Sequence, residues 1–136
     1  MEYNVKLTDR QVQGFDLIKQ KTYILLEGGG RAGKTFLTLF VIILRCLLYP
    51  ETRHLIIRYR FVHIKSAIVY DTMPKILKIM GLKRKANLNK SDWFYEFPNG
   101  SQIWLGGIDD KERIEKILGN EYATIFINEA SQVSAP

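Results

Sequence analysis

The chain has 136 residues, of which 46% are hydrophobic and 25% charged, as in an ordinary globular domain. Its net charge of +6 favours polyanionic partners such as nucleic acid. The single cysteine, Cys46, excludes a disulfide framework within one chain and fits a reducing cytosol. Because Cys46 falls in an apolar stretch, we expect it to be a small buried side chain.

The longest apolar run, residues 36–48, is interrupted by Arg45. A membrane-spanning helix needs about 20 apolar residues, so this run predicts a buried helix and no contact with a membrane. The first residues also lack the basic and then apolar pattern of a signal peptide.

Residues 28–35 read Gly-Gly-Gly-Arg-Ala-Gly-Lys-Thr and match the P-loop pattern, Gly-x-x-x-x-Gly-Lys-Ser/Thr, at every fixed position. A short apolar stretch, residues 23–27, precedes them as a buried strand should, and a long apolar helix follows. An ordinary Gly-rich turn with a chance lysine does not require this context. The predicted nucleotide-binding residues are Gly28, Gly29, Gly30, Arg31, Ala32, Gly33, Lys34 and Thr35.

The chemistry of such a loop follows from its composition. Glycines let successive N–H groups turn towards a phosphate chain, and the helix start adds free donors and the positive end of its dipole. Lys34 is expected to reach the β- and γ-phosphates, and the Thr35 hydroxyl to bind Mg²⁺. The predicted cofactors are therefore ATP and Mg²⁺.

Upstream of the loop, a helix is predicted over residues 8–19. Thr8 suits its N-cap, and Gln11 occupies the capping-box position three residues later. Apolar residues then recur at helical spacing.

Periodicity and turn residues predict the remaining elements. In chain order they are a helix over residues 34–49, a strand over 55–59, helical structure over 62–80, strands over 93–97 and 101–105, a short helix ending at Gly119, and a strand over 123–130. Pro74 either interrupts the long helical region or opens a second helix. Asp109 is the predicted N-cap of the short helix, with Glu112 at the capping-box position.

Two features within this region have two interpretations each, and a third has one. Lys83, Arg84 and Lys85 form either a solvated loop or a contact to a phosphate backbone. Trp93 and Trp104 flank the hairpin signal Asn-Gly, where packing is favoured over base stacking. Arg58 and Arg60 fall at the carboxyl end of a strand, the edge at which open α/β sheets bind ligands.

The last apolar run ends in Asn128 and Glu129. In P-loop ATPases the strand beside the loop ends in two polar residues, usually Asp-Glu, of which the first holds Mg²⁺ and the second activates water. Asn128 lacks the charge of an aspartate, but its amide oxygen can accept from a metal-bound water. Glu129 is the predicted general base.

Together these features predict an α/β fold, a P-loop NTPase of the ASCE or RecA-like type. Its parallel central sheet is flanked by helices, with a β-hairpin near residues 93–105. Because the chain stops seven residues after Glu129, the sheet is expected to be incomplete at the C-terminus.

The chain resembles the ATPase domain of the phage terminase large subunit, the motor that packages viral DNA. The P-loop with its internal Arg31, the upstream residues 7–11, the hairpin and following turn at residues 97–110, and the Asn-Glu-Ala ending at residues 128–130 carry this resemblance.

The resemblance implies that Gln11 contacts adenine and that Arg31 stabilises charge on the γ-phosphate or senses it. The predicted catalytic residues are thus Arg31, Lys34 and the general base Glu129. It implies a homo-oligomeric ring in the host cytoplasm that engages double-stranded viral DNA, the portal and procapsid, and a small terminase subunit. Family members also carry a C-terminal nuclease, so residues 1–136 are expected to be a partial ATPase domain. The alternatives are a helicase-like ATPase and a non-catalytic nucleotide-binding remnant.

Overall fold

The computed structural model describes the backbone of residues 23–27 and 32–128, and the side chains of residues 35–127. Within this part of the chain lie six strands: β1 Tyr23–Glu27, β2 Arg53–Arg58, β3 Asn87–Asn89, β4 Phe94–Glu96, β5 Gln102–Gly107 and β6 Thr124–Asn128. The helical segments are α1 Ala32–Leu48, α2 Phe61–His63, a π-helix Ile64–Thr72, α3 Met73–Ile79 and α4 Lys111–Leu118.

The six strands form one sheet in the order β1-β6-β2-β5-β4-β3. The first four strands in this order are parallel, and β4 and β3 join as antiparallel neighbours. Two apolar clusters cover the sheet. One contains residues of α1, the π-helix and α3, and the other contains residues of α4. The predicted α/β fold is confirmed, with a sheet that is mixed because the hairpin extends it.

Aromatic packing joins the hairpin to its neighbours. Trp104 stacks on Phe94 across the β4–β5 pair, with ring centroids 4.4 Å apart. Trp93 meets Phe61 edge to face at 5.7 Å. Both tryptophans therefore pack against other side chains of the protein, as the sequence predicts.

The hairpin turn also closes the last turn of α1. Asn99 Nδ2 donates to the carbonyl of Cys46 at 2.8 Å, while Asn99 Oδ1 accepts from the amide of Ser101. The Ser101 hydroxyl donates to the carbonyl of Tyr49 at 2.7 Å. The free carbonyls of a helix end thus find partners within the turn. The amino end of β6 is tied to the same helix, since Arg45 Nε donates to Thr124 Oγ1 at 2.8 Å.

The helical region after β2 resolves the two interpretations of Pro74. Pro74 occupies the first turn of α3, where its missing N–H is tolerated, and the backbone at the preceding Thr72 stays helical. Helical conformation therefore continues from Phe61 to Ile79, in part as a π-helix that no sequence signal predicts.

One predicted cap is wrong. The N-cap of α4 is Asp110, whose carboxylate accepts from the amide of Arg113 at 3.3 Å. The carboxylate of Asp109 instead accepts from the amide of Phe61 at 3.0 Å. Either aspartate could cap α4 chemically. Because Asp109 binds the amide of Phe61, Asp110 is the N-cap.

Cys46 is fully buried, and burial raises the pKa of its thiol to about 12, in agreement with its predicted role as an apolar packing residue. Among the described helices, none has the length and apolar character needed to cross a bilayer.

Buried His54 predicts a pH-dependent stability. The hydroxyl of Thr52 donates to Tyr49, so it accepts from Nε2 of His54 at 2.9 Å and leaves Nδ1 unprotonated. Burial first, and Arg45 second, lower the pKa of His54 from 6.5 to about 4. Between pH 6.5 and 4, His54 is protonated in the unfolded chain but stays neutral in the folded chain. The free energy of unfolding should therefore fall between pH 6.5 and 4, by up to about 3 kcal/mol.

Urea unfolding of the protein and of His54→Gln at pH 7.5, 6, 5 and 4.5 measures this effect. The variant should lack this part of the pH dependence. Identical pH dependence of the two proteins would contradict a neutral buried His54.

Candidate functional site

The strands β1 and β6 end side by side. Their parallel register pairs Tyr23 with Thr124 at one end and Glu27 with Asn128 at the other. Because both strands run in the same direction, the residues that follow Glu27 and Asn128 leave the sheet at the same carboxyl edge. This edge is where open α/β sheets bind ligands.

The segment after β1 is short and leads directly into a helix. Four residues, numbers 28–31, connect Glu27 to Ala32, where α1 begins. The sequence Ala-Gly-Lys-Thr therefore forms the first turn of α1 and contains no acidic residue. Its backbone N–H groups and the positive end of the helix dipole belong to the same carboxyl edge. The predicted order of strand, short turn and helix start is confirmed on both flanks of the turn.

The predicted site residues fall into three groups. Those outside the described residues are Gln11, Gly28, Gly29, Gly30, Arg31 and Glu129. Those described by backbone alone are Ala32, Gly33 and Lys34 in the first turn of α1, and Asn128 at the end of β6. Thr35 has a described side chain, which is 4% exposed.

Positive charge also reaches this edge from β2, the strand on the other side of β6. Arg58 ends β2 and is only 7% exposed, whereas Arg60 is exposed. The carboxyl edge therefore combines a helix N-terminus with a fixed cation, and both favour an anionic ligand.

Other concave places in the described part of the chain lie elsewhere. One is at the amino edge, lined by Glu51, Arg53, Gly100, Gln102 and Glu121. The second is beside α4 and includes Asp92, Trp104 and Arg113. The described residues also contain no group of three or more His, Cys, Asp or Glu side chains arranged to hold a metal. Neither place includes a residue of the P-loop sequence or of β6.

Comparison with known proteins agrees with this architecture. A family model described as phage terminase large subunit matches residues 20–136. The chain belongs to this family. The match includes β1, the P-loop sequence, α1 and β6, and continues through residue 136.

A solved structure of a large terminase shares the fold of this terminase chain. Large terminase from a thermophilic bacteriophage, in its second crystal form, aligns with a TM-score of 0.58 at 16% identity, over 96% of this chain. The alignment spans 37% of that terminase. A structure of the same phage terminase in complex with ATP-γ-S aligns with a TM-score of 0.49 at 12% identity, over 90% of this chain and 38% of that one. No curated protein matches the chain.

At the carboxyl edge of the sheet of this terminase chain, the end of β5 passes close to the segment that follows β2. Gly107 ends β5, and a Cβ at this position would lie 2.4 Å from the amide nitrogen of Phe61. The amide of Ile108 donates to the carbonyl of Arg58 at 3.0 Å, and that of Asp109 to the carbonyl of Tyr59 at 2.9 Å. The Gly-Gly pair at residues 106–107 signals this crossing in the sequence, although its position could not be foreseen.

Gly107→Ala should therefore destabilise the fold, because the added methyl meets backbone atoms that cannot rotate away. We expect the free energy of unfolding to fall by about 1–3 kcal/mol, the usual cost of forced overpacking. Gly119→Ala is the matched control, since its φ of −73° suits alanine and its new Cβ would meet one carbonyl oxygen at 3.3 Å.

Urea unfolding measures both variants, and the control should stay within about 0.5 kcal/mol of the parent. Equal stability of the parent and Gly107→Ala would show that the crossing is looser than described.

Proposed function

We propose that this chain binds ATP with Mg²⁺ at residues 28–35 and hydrolyses it as the ATPase part of a DNA-packaging terminase. One observation carries the proposal. The register of β1 with β6 brings the start of α1 and the end of β6 to one edge, and these are the positions that a P-loop and its catalytic strand require.

Phosphate binding rests on the first turn of α1 and the glycines before it. Backbone N–H groups of the turn would donate to the phosphate oxygens, and Lys34 would neutralise the β- and γ-phosphates. The buried guanidinium of Arg58 adds to the positive potential at this edge. Gln11, upstream of β1, is the proposed contact to adenine.

The residues present suit a magnesium ion. Thr35, whose side chain is buried, belongs to the first turn of α1, and Asn128 ends the neighbouring strand, so two residues with neutral oxygen groups belong to this edge. Oxygen ligands are those that Mg²⁺ prefers, and it usually keeps several waters. When bound, the ion would offset charge on the β- and γ-phosphate oxygens.

The proposed hydrolysis depends on Glu129, the residue after Asn128. Glu129 would accept a proton from a water whose oxygen forms a bond to the γ-phosphorus. The bond from that phosphorus to the bridging oxygen breaks, and ADP leaves with the electron pair. Arg31, within the loop, would stabilise the charge that develops on the γ-phosphate oxygens.

The wider role follows from family membership. Since the chain spans 37% of the large terminase from the thermophilic phage, the activities of a whole terminase are proposals for it. We propose that it works in the host cytoplasm as part of a homo-oligomeric ring on the procapsid portal, with viral duplex DNA and a small terminase subunit as partners.

A second candidate function is nucleotide binding without turnover. Asn128 stands where most P-loop ATPases carry an aspartate, so the metal site has one negative charge fewer. A weaker hold on Mg²⁺ would preserve binding while slowing hydrolysis.

Lys34→Ala tests the binding site. Removing a charged phosphate contact should weaken binding of a fluorescent ATP analogue about 10- to 100-fold in the presence of Mg²⁺. Lys116→Ala, which removes an exposed lysine of α4, is the control and should bind as the parent does. Equal affinity of parent and Lys34→Ala would end the P-loop interpretation.

Glu129→Gln separates the two candidate functions. If Glu129 is the general base, phosphate release should drop at least about 100-fold while the affinity for the ATP analogue is retained. A parent that binds the analogue but releases no phosphate would favour the second candidate. Unchanged phosphate release in the variant would exclude Glu129 as the base.

A further inference from the structure

The positive charge of the chain is concentrated in one segment. Residues 73–90 contain six of the 20 Lys and Arg residues and no acidic residue. The remaining 14 Lys and Arg residues equal in number the 14 Asp and Glu residues of the chain. The whole net charge of +6 is therefore carried by 18 residues. We call them the basic segment; its cations are Lys75, Lys78, Lys83, Arg84, Lys85 and Lys90.

Backbone hydrogen bonds anchor the turn that carries Lys83, Arg84 and Lys85, half of these cations. α3 ends in a Schellman motif, in which Gly81 has a φ of +71° and donates to the carbonyl of Lys78. Leu82 donates to the carbonyl of Leu77 at 2.8 Å, and both side chains pack in the core. The next turn is closed by bonds from Lys85 and Ala86 to the carbonyl of Leu82. The turn thus has a defined backbone.

All six cationic side chains of the basic segment are exposed. Lys75 forms an ion pair with Asp71 at 2.8 Å, which leaves its charge partly compensated. In the described part of the chain, no acidic side chain is found within ion-pair distance of the other five. In chain order the six cations lie on α3, in the turn at residues 83–85, which we call the basic turn, and directly after β3, an outermost strand of the sheet. We call this row of cations the strip.

The part of the strip beside β3 is separate from the proposed nucleotide site. β3 and β1 occupy opposite ends of the six-stranded order, and five strand spacings correspond to about 24 Å. The basic turn precedes β3, whose first residue pairs with the last residue of β4, at the amino edge. The P-loop sequence follows β1, which ends at the opposite, carboxyl edge of the sheet.

We infer that the basic segment binds the phosphate backbone of duplex DNA. Neither of the two concave places described above includes a residue of the basic segment, and its six cations are exposed, so they match an extended row of phosphates better than a small enclosed anion. Lysines dominate it, and a lysine neutralises a phosphate as a point charge without reading sequence. The choice of DNA as the polyanion rests on the proposed function, whereas the position of the strip does not.

Lysines beside an outer strand can also act only as guards against edge-to-edge pairing. That explanation covers Lys90, which follows β3 directly. It does not cover Lys78 on α3 or the turn at residues 83–85, which carry no unpaired strand edge. The two explanations predict different results when the charges are removed.

Fluorescence anisotropy with a labelled duplex of about 30 bp and random sequence, without nucleotide, tests the inference over a range of salt concentrations. The first variant is Lys83→Ala with Lys85→Ala. The second, Lys78→Ala with Lys90→Ala, leaves the basic turn intact. The control, Lys111→Ala with Lys116→Ala, removes the same charge from α4 on the other face of the sheet.

Each variant of the basic segment should bind DNA about tenfold more weakly at roughly 0.2 M salt. The slope of log K against log salt should decrease by about 1.8, since each lost phosphate contact removes about 0.9. The control should keep at least half of the parent affinity. Thermal melts establish that all three variants fold.

Three outcomes would overturn the inference: no DNA binding by the parent at about 50 mM salt, equal weakening in all three variants, or increased aggregation with unchanged DNA affinity. The ATP analogue reports separately on the proposed function. Its affinity should be the same in all three variants, because none of them alters residues 28–35. Loss of DNA binding with retained nucleotide binding therefore concerns the basic segment alone.

Discussion

The parallel pairing of β1 with β6 is the constraint on which the candidate site depends. It brings together strands from near the two ends of the sequence, and β6 lies buried between β1 and β2. A shift of one residue would turn the buried side chains Ile125 and Ile127 to the opposite face of the sheet. The core therefore fixes the register, and the register fixes where the P-loop sequence and Asn128 leave the sheet. The same packing of β6 therefore stabilises the fold and sets the geometry of the candidate site.

The elements that define the fold were predictable from local patterns. Residues 23–26 are an uninterrupted apolar run that ends at Glu27, and the strand spans Tyr23–Glu27. The helix after the P-loop was expected over residues 34–49 and spans Ala32–Leu48, because a long apolar run leaves little choice of element. The hairpin followed from Asn-Gly between aromatic runs, and Gly100 has the positive φ that such a turn uses.

Other features depend on contacts distant in sequence and could not be read from local patterns. β3, with the sequence Asn-Leu-Asn, has almost no apolar alternation and exists because β4 supplies a partner. Asp109 and Asp110 have equal capping chemistry, and the amide of Phe61 selects between them. The P-loop was predicted from the spacing of its sequence motif, whereas the alignment of Glu27 with Asn128 required the tertiary structure.

The anchoring of α1 at one end has a mechanical consequence. At its C-terminal end, Arg45 holds Thr124 and Asn99 holds the carbonyl of Cys46. The first turn of the helix lies about 25 Å away, the length of a 17-residue helix. Between the two ends, Leu39, Ile42 and Ile43 pack in the core. The helix therefore links the proposed phosphate-binding turn to the hairpin as one packed rod, and sliding of this rod along its axis would break both anchors.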